Sequence, residues 1–171
     1  MTEPMTPPPK RTAPAKTAAG AAAIAAAVLA VAPFVASKEG ERHVPYYDGG
    51  RVKTVCMGET QNVEDRIYSH DECAAMERKR LAKDYAPAVL NCVPAFVEDR
   101  RRKPFMAAID ASYNAGPVGF CKSPMARYFN AGQWAKGCDA FVGWRATIQG
   151  VPSRGLRNRR EGERLLCMRK V

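Results

Sequence analysis

No acidic residue lies between Glu3 and Glu39, and no cysteine precedes Cys56. Histidine is nearly absent: only His43 and His70 occur, and no two cysteines form a CxxC pair. Tetrahedral zinc sites need such ligands in close sequence groups, so no zinc centre is expected, nor any other metal or cofactor. Neither an internal repeat nor a glycine-rich phosphate loop is present, which argues against a solenoid and against a nucleotide-driven enzyme. Acidic side chains are also outnumbered: 17 Asp and Glu stand against 27 Lys and Arg, a formal charge of +10. That balance points to an anionic partner.

The acid-free stretch instead holds an uncharged, alanine-dominated run from Thr17 to Ser37. At ~1.5 Å per helical residue, it just reaches across a hydrocarbon core of roughly 30 Å. Its grip on lipid is weak, because only Ile24, Val28, Leu29, Val31, Phe34 and Val35 bring much apolar area. Lys10, Arg11 and Lys16 precede the run, so the positive-inside rule keeps that end cytoplasmic and exports the chain beyond Ser37. A cleaved leader is the main rival, since Ala30-Val31-Ala32 and Val35-Ala36-Ser37 resemble cleavage sites. Pro33 opposes it, because proline directly after the first site obstructs a peptidase that binds extended backbone. A buried soluble helix fits less well, as the run shows no polar face. The small residues also leave open close pairing of two such helices in the membrane. Residues 1–16, proline-rich and almost without apolar side chains, are expected to be a disordered basic tail. Residues 17–37 are then the anchor, and residues 38–171 one globular domain.

For an exported domain the anionic partners are envelope polymers or anionic lipid, and nucleic acid is not expected. The basic clusters at 100–103 and at Arg154, Arg157, Arg159, Arg160 and Arg164 read as solvated helix surface. All six cysteines, Cys56, Cys73, Cys92, Cys121, Cys138 and Cys167, lie after the run, and an even number in an exported domain points to disulfides. Spacing alone does not decide the pairing. Chain order, Cys56 with Cys73, Cys92 with Cys121 and Cys138 with Cys167, is expected because each bridge would tie neighbouring elements.

Val44 to Met57 reads as a hairpin, with Tyr46 and Tyr47, the turn Asp48-Gly49-Gly50, then Val52 and Val55. Ser69-His70-Asp71-Glu72 has the spacing of a capping box and opens a helix that Pro94 ends. A second helix starts near Asp99, carries Pro104 in its first turn and ends at Asn114-Ala115-Gly116-Pro117. Ser123-Pro124 caps another, and Gln133 to Trp144 and Ser153 to Met168 complete the set. The expected class is α+β, mostly α, with one small sheet at the start of the exported domain. Trp134 and Trp144 read as core residues before sugar platforms.

Glu39 comes directly after the run, Asp48 is at the hairpin turn and Thr54 is on the returning strand. Folding the hairpin against the helix end would bring all three to one cleft. Two carboxylates in unlike surroundings suit glycoside cleavage, one protonated to donate to the leaving oxygen and the other ionised. Spacing by itself does not separate this from ordinary solvated turn residues.

Lys38-Glu39-Gly40, Val44-Pro45-Tyr46-Tyr47-Asp48 and Thr54-Val55-Cys56-Met57-Gly58-Glu59-Thr60 together resemble the active-site segment of the tailed-phage lysozymes, muramidases with a Glu, Asp, Thr triad. Tyr113-Asn114-Ala115-Gly116 resembles the end of that family's central helix, and Asn158-Arg159-Arg160-Glu161-Gly162-Glu163-Arg164 its C-terminal arginine-rich motif. The resemblance spans Ser37 to Val171. With the weak anchor it is similar to the signal-anchor-release endolysins, exported tethered and inactive and later freed. It implies a lysozyme-like fold with Glu39, Asp48 and Thr54 catalytic and with Tyr113 and Asn114 as candidates for the substrate cleft. Many members carry His where Glu59 stands, a departure that bears on a local contact and leaves the triad in place.

The resemblance further implies hydrolysis of the β-1,4 bond between N-acetylmuramic acid and N-acetylglucosamine in peptidoglycan, with inversion. Glu39 would be the acid, Asp48 the base or cation stabiliser, and Thr54 the water holder. The enzyme would act in the host periplasm, first tethered through residues 17–37 with its N-terminus in the cytoplasm, then as a released monomer. No cysteine lies inside the anchor, so thiol exchange from it cannot be the switch. The competing class is a non-enzymatic, cationic envelope-binding or membrane-disrupting protein, which needs the charge and the anchor but not the triad.

Overall fold

A computed structural model describes residues 13–169 of the chain. Residues 1–12 of the expected disordered tail lie outside this range, but its last residues are folded: Pro14–Lys16 form a 3-10 turn. The backbone N–H of Ala15 donates to Asn91 Oδ1 at 3.2 Å. Gly20 makes this docking possible, because a Cβ there would sit 1.9 Å from the Pro14 carbonyl oxygen.

Helix α1, Ala18–Ala36, begins at Thr17, whose side chain accepts from the Gly20 N–H. Ile24, Ala27, Val28, Val31, Ala32 and Val35 are buried along one side. They join Phe96, Phe105, Ile109 and Phe129 in the main core. The anchor run is thus seated in the domain as a core helix, the arrangement its missing polar face argued against. Alanine resolves the conflict, since an outward face of methyl groups exposes little apolar area. Leu29 and Pro33 are the larger apolar residues left on that side. Pro33 lacks the N–H that would close a helical bond to Leu29, and both residues face outward.

Strands β1, Arg42–Tyr47, and β2, Lys53–Cys56, form the expected antiparallel hairpin. Helix α2, His70–Arg80, opens with a complete capping box between Ser69 and Glu72. It continues through a π-turn, Leu81–Tyr85, into α3, Ala86–Cys92. Pro87 accounts for the widening, because it has no N–H to close an α bond onto the residue four places back. The central helix α4 is Arg102–Ala115 and ends at Gly116, whose φ of 82° suits glycine. Three short helices come next: α5 Pro117–Cys121, α6 Pro124–Asn130 and α7 Trp134–Asp139.

The segment expected as one helix from Gln133 to Trp144 is helical only to Asp139. Beyond it a second hairpin was missed, β3 Thr147–Ile148 with β4 Val151–Pro152. Its turn holds Gln149 and Gly150 at φ of 50° and 82°, the two positive angles of a type I′ turn. The last helix, α8, spans Arg154–Met168 with Ser153 as its cap. Disulfides join Cys56 to Cys73, Cys92 to Cys121 and Cys138 to Cys167. The first ties the hairpin to α2, and the third ties α7 to α8. Trp134 packs against Phe96 and Phe129 and carries the Arg101 guanidinium 3.8 Å from its ring centroid. Trp144 also packs on the core.

Candidate active site

Glu39 takes its place from the end of α1. The backbone N–H groups of Lys38 and Glu39 both donate to the Val35 carbonyl, at 2.8 and 3.2 Å. Its side chain opens onto a cleft of about 210 Å³ shared with Met57, Gly58, Arg80, Tyr85, Tyr113 and Asn114. Tyr85 and Arg80 are one π-turn apart, which brings both to the same side; Arg80 Nη2 donates to the Tyr85 hydroxyl at 3.3 Å.

Behind Glu39 stands a buried charge network. Arg159 of α8 donates from Nη1 to Glu39 Oε1 at 2.5 Å. The same guanidinium grips Asp110 of α4 with two bonds, Nε to Oδ2 at 3.1 Å and Nη2 to Oδ1 at 2.8 Å. Asp110 is wholly buried, so this bidentate pair compensates a carboxylate that would otherwise be costly. Arg160, also wholly buried, holds Glu163 at 2.5 Å and donates to Asn114 Oδ1. Burial, and then a hydrogen bond to Asp110, push the Glu163 carboxyl far above the usual range. Glu39 and Asp110 face the Arg159 guanidinium, and Glu163 faces that of Arg160. Arg159 and Arg160 are therefore interior residues, and their reading as solvated helix surface is corrected.

Tyr113 and Asn114 both line the cleft, and both also have structural partners. The Tyr113 hydroxyl donates to the Met57 carbonyl at 2.6 Å, and its ring lies 5.0 Å from that of Tyr85. Burial, then the nearby carboxylate of Glu39, raise the Tyr113 phenol above its ordinary range, so it remains a neutral donor. Asp48 and Thr54 sit on the hairpin, outside the residues that line the Glu39 cleft. Asp48 is exposed, and its Oδ1 accepts from the N–H groups of Gly50 and Val52, each at 2.9 Å. Thr54 is buried and opposes Tyr46 in the ladder; its hydroxyl donates to the Val52 carbonyl at 2.9 Å.

Glu59, at the family's histidine position, accepts from the N–H groups of Thr60 and Gln61 at 2.8 and 2.7 Å. Arg80 lies 3.7 Å from it and donates to the Gly58 carbonyl at 3.1 Å. Glu59 is thus held by two backbone N–H groups and faces the Arg80 guanidinium. Among the described residues, Glu41, His43 and Cys73 come close enough to share a cation, but Cys73 is in a disulfide and offers no thiolate. Sequence reasoning missed Asp110, Arg80 and Tyr85 as cleft or network residues. Asp110 carried a signal: it is an acid inside the otherwise apolar helix segment Phe105–Ala111.

Residues 36–163 match the family described as phage lysozyme. The chain is 34% identical over 126 residues to the SAR-endolysin of Escherichia phage Mu, covering 73% of this chain and 71% of that protein. Its fold superposes on the active form of the P1 phage endolysin Lyz with a TM-score of 0.67 and 25% identity, over 83% of each chain. It also superposes on the muramidase domain of SpmX from Asticaccaulis excentricus, with a TM-score of 0.72, 23% identity and coverage of 82% and 95%. With Glu39 held by Arg159 at the mouth of a cleft in a lysozyme-like fold, the chain belongs to the phage lysozyme family.

Proposed function

We propose that this chain is a signal-anchor-release endolysin that hydrolyses the β-1,4 bond between N-acetylmuramic acid and N-acetylglucosamine. Glu39 protonates the glycosidic oxygen, Asp48 acts as base on a water, and Thr54 orients that water. The outcome is inversion at the anomeric carbon, which leaves room for water between two carboxyl groups about 6.5–9.5 Å apart. Tyr113 and Asn114 contact the glycan.

One observation carries the reading: the acid hangs on the last turn of the same helix that is long and apolar enough to span a bilayer. With α1 in lipid, Glu39 is held at the membrane surface, out of reach of Arg159 and the cleft. When α1 leaves the bilayer and docks on α4, Glu39 reaches Arg159 and the site is assembled. The protein is then exported to the host periplasm tethered by residues 17–37, N-terminus inside, and works as a monomer after release. The domain limits 1–16, 17–37 and 38–171 describe the tethered state.

The test is Glu39→Gln, an isosteric change that removes the transferable proton. Loss of murein hydrolysis with unchanged folding supports the reading. Lysis at the wild-type rate would select the non-enzymatic alternative. Proton NMR of the first product reports the anomer, and a retained β anomer would overturn inversion.

A further inference from the structure

Glu77 of α2 presents an anomaly: it is 5% exposed, and its Oε1 has no hydrogen-bond partner. A buried carboxylate without compensation is expensive and calls for an explanation. Its surroundings sharpen the point. Glu39 and Glu41 from the segment after α1 and Asp110 from α4 all push its carboxyl upward, and only Arg78, beside it, opposes them. His70, about two turns earlier on α2, is already paired with Glu41 at 3.0 Å.

Glu77 also borders a cavity of about 420 Å³ between α1 and α2. Ala32, Pro33 and Ala36 of α1 form one wall, with Met57 and Ala74 opposite. The lining is apolar apart from this carboxyl and the exposed Arg78 and His70. We propose that this cavity is a binding site for a primary alkylammonium, its charged head on Glu77 and its short hydrocarbon stem along Ala32, Pro33 and Ala36.

The chemistry of the walls selects that class. Glu77 is the one carboxyl on the lining and disfavours an anion beside it, and a strongly hydrated inorganic cation gains nothing from methyl-lined walls. An ammonium on an apolar stem satisfies both features at once. Because α1 supplies half the site, such a ligand binds only when the helix is docked and so favours the docked state by mass action. Two sources offer this group: a soluble amine or, on the release proposed above, the aminolipid headgroups of the bilayer that α1 leaves.

The experiment is calorimetric titration of released full-length protein with n-hexylammonium, using n-hexanol as the uncharged control, on wild type and Glu77→Gln. Wild type is expected to bind hexylammonium about tenfold or more tightly than the variant does. Hexanol should bind both equally, which verifies that the cavity survives the substitution. Ionisation of the carboxyl is required, so wild-type affinity should rise about tenfold between roughly pH 6 and pH 8, and the variant should show no such rise. Equal hexylammonium affinity in the two proteins, or no binding to wild type, overturns the proposal. Given Glu77-dependent binding, vesicles with and without phosphatidylethanolamine assign the source. Retention dependent on both that lipid and Glu77 identifies the lipid, and its absence identifies a soluble amine.

Discussion

Glu39 and Arg159, 120 positions apart in the chain, meet across 2.5 Å and join the end of α1 to the middle of α8. Through Asp110 the same guanidinium reaches α4. One side chain thus reports whether the N-terminal helix, the central helix and the C-terminal helix are all in place. In the release mechanism proposed above, that dependence couples the acid to the docking of α1.

Arg159→Ala should remove hydrolysis and destabilise the fold together, because it strands the buried Asp110 carboxylate. Breaking a buried pair in this way costs about 3–5 kcal/mol. A urea titration reads the stability, and turbidity loss of permeabilised cells reads the activity. Adding Asp110→Asn should recover much of the stability without restoring the rate, since Glu39 still lacks its partner.

Glu77 predicts the sign of a pH effect. Burial first, then neighbouring carboxylates, raise its carboxyl from 4.5 to about 7 in the folded chain. The folded state therefore binds more protons than the unfolded state over that interval, and stability falls as pH rises through it. The loss is at most about 3 kcal/mol and is complete above pH ~7. Glu163, raised by burial, adds to the decline in the same direction. Thermal melts between pH ~5 and ~8 should show a shallower slope for Glu77→Gln than for wild type.

The strength of membrane retention should depend on the outward face of α1. Ala21, Ala22, Ala25 and Ala30 are exposed in the docked helix, so leucine at these positions leaves the core undisturbed. In lipid each change adds about 2 kcal/mol of apolar transfer. Fractionation of cells should find the quadruple variant in the membrane, while detergent-extracted protein keeps its melting temperature. Leucine at Ala27, which is wholly buried, should instead damage the docked fold.

Much of the architecture was legible because local chemistry decided it. Ser69 and Glu72 cap α2 through their own side chains, and Asp48-Gly49-Gly50 turns the first hairpin with bonds confined to a few residues. The missed features depend on distant partners. Arg159 and Arg160 look like surface charges until Asp110 and Glu163 are brought beside them by folding. The second hairpin carries only the modest signal of Gln149-Gly150 between two-residue strands. Burial of α1 could not be inferred from periodicity, because an alanine face suits lipid and a packed helix almost equally. For the site, Glu39 lies on the cleft with Tyr113 and Asn114, whereas the roles of Asp48 and Thr54 rest on the family pattern.

Reduction should act through α8. The bridge from Cys138 to Cys167 closes a separation of 29 residues and holds α7 against the helix that carries Arg159. Opening it costs about 3.6 kcal/mol by chain entropy, so Cys138→Ser with Cys167→Ser should lower the urea midpoint and the hydrolytic rate together. A drop in neither quantity would remove this bridge from the support of the site.

The most direct measurement compares murein hydrolysis by full-length protein embedded in vesicles through residues 17–37 with the same protein after it has left the bilayer. The embedded form is predicted to be at least about 10²-fold slower, the loss expected when a general acid is withheld. Equal turnover by the two forms would contradict the dependence of Glu39 on a docked α1.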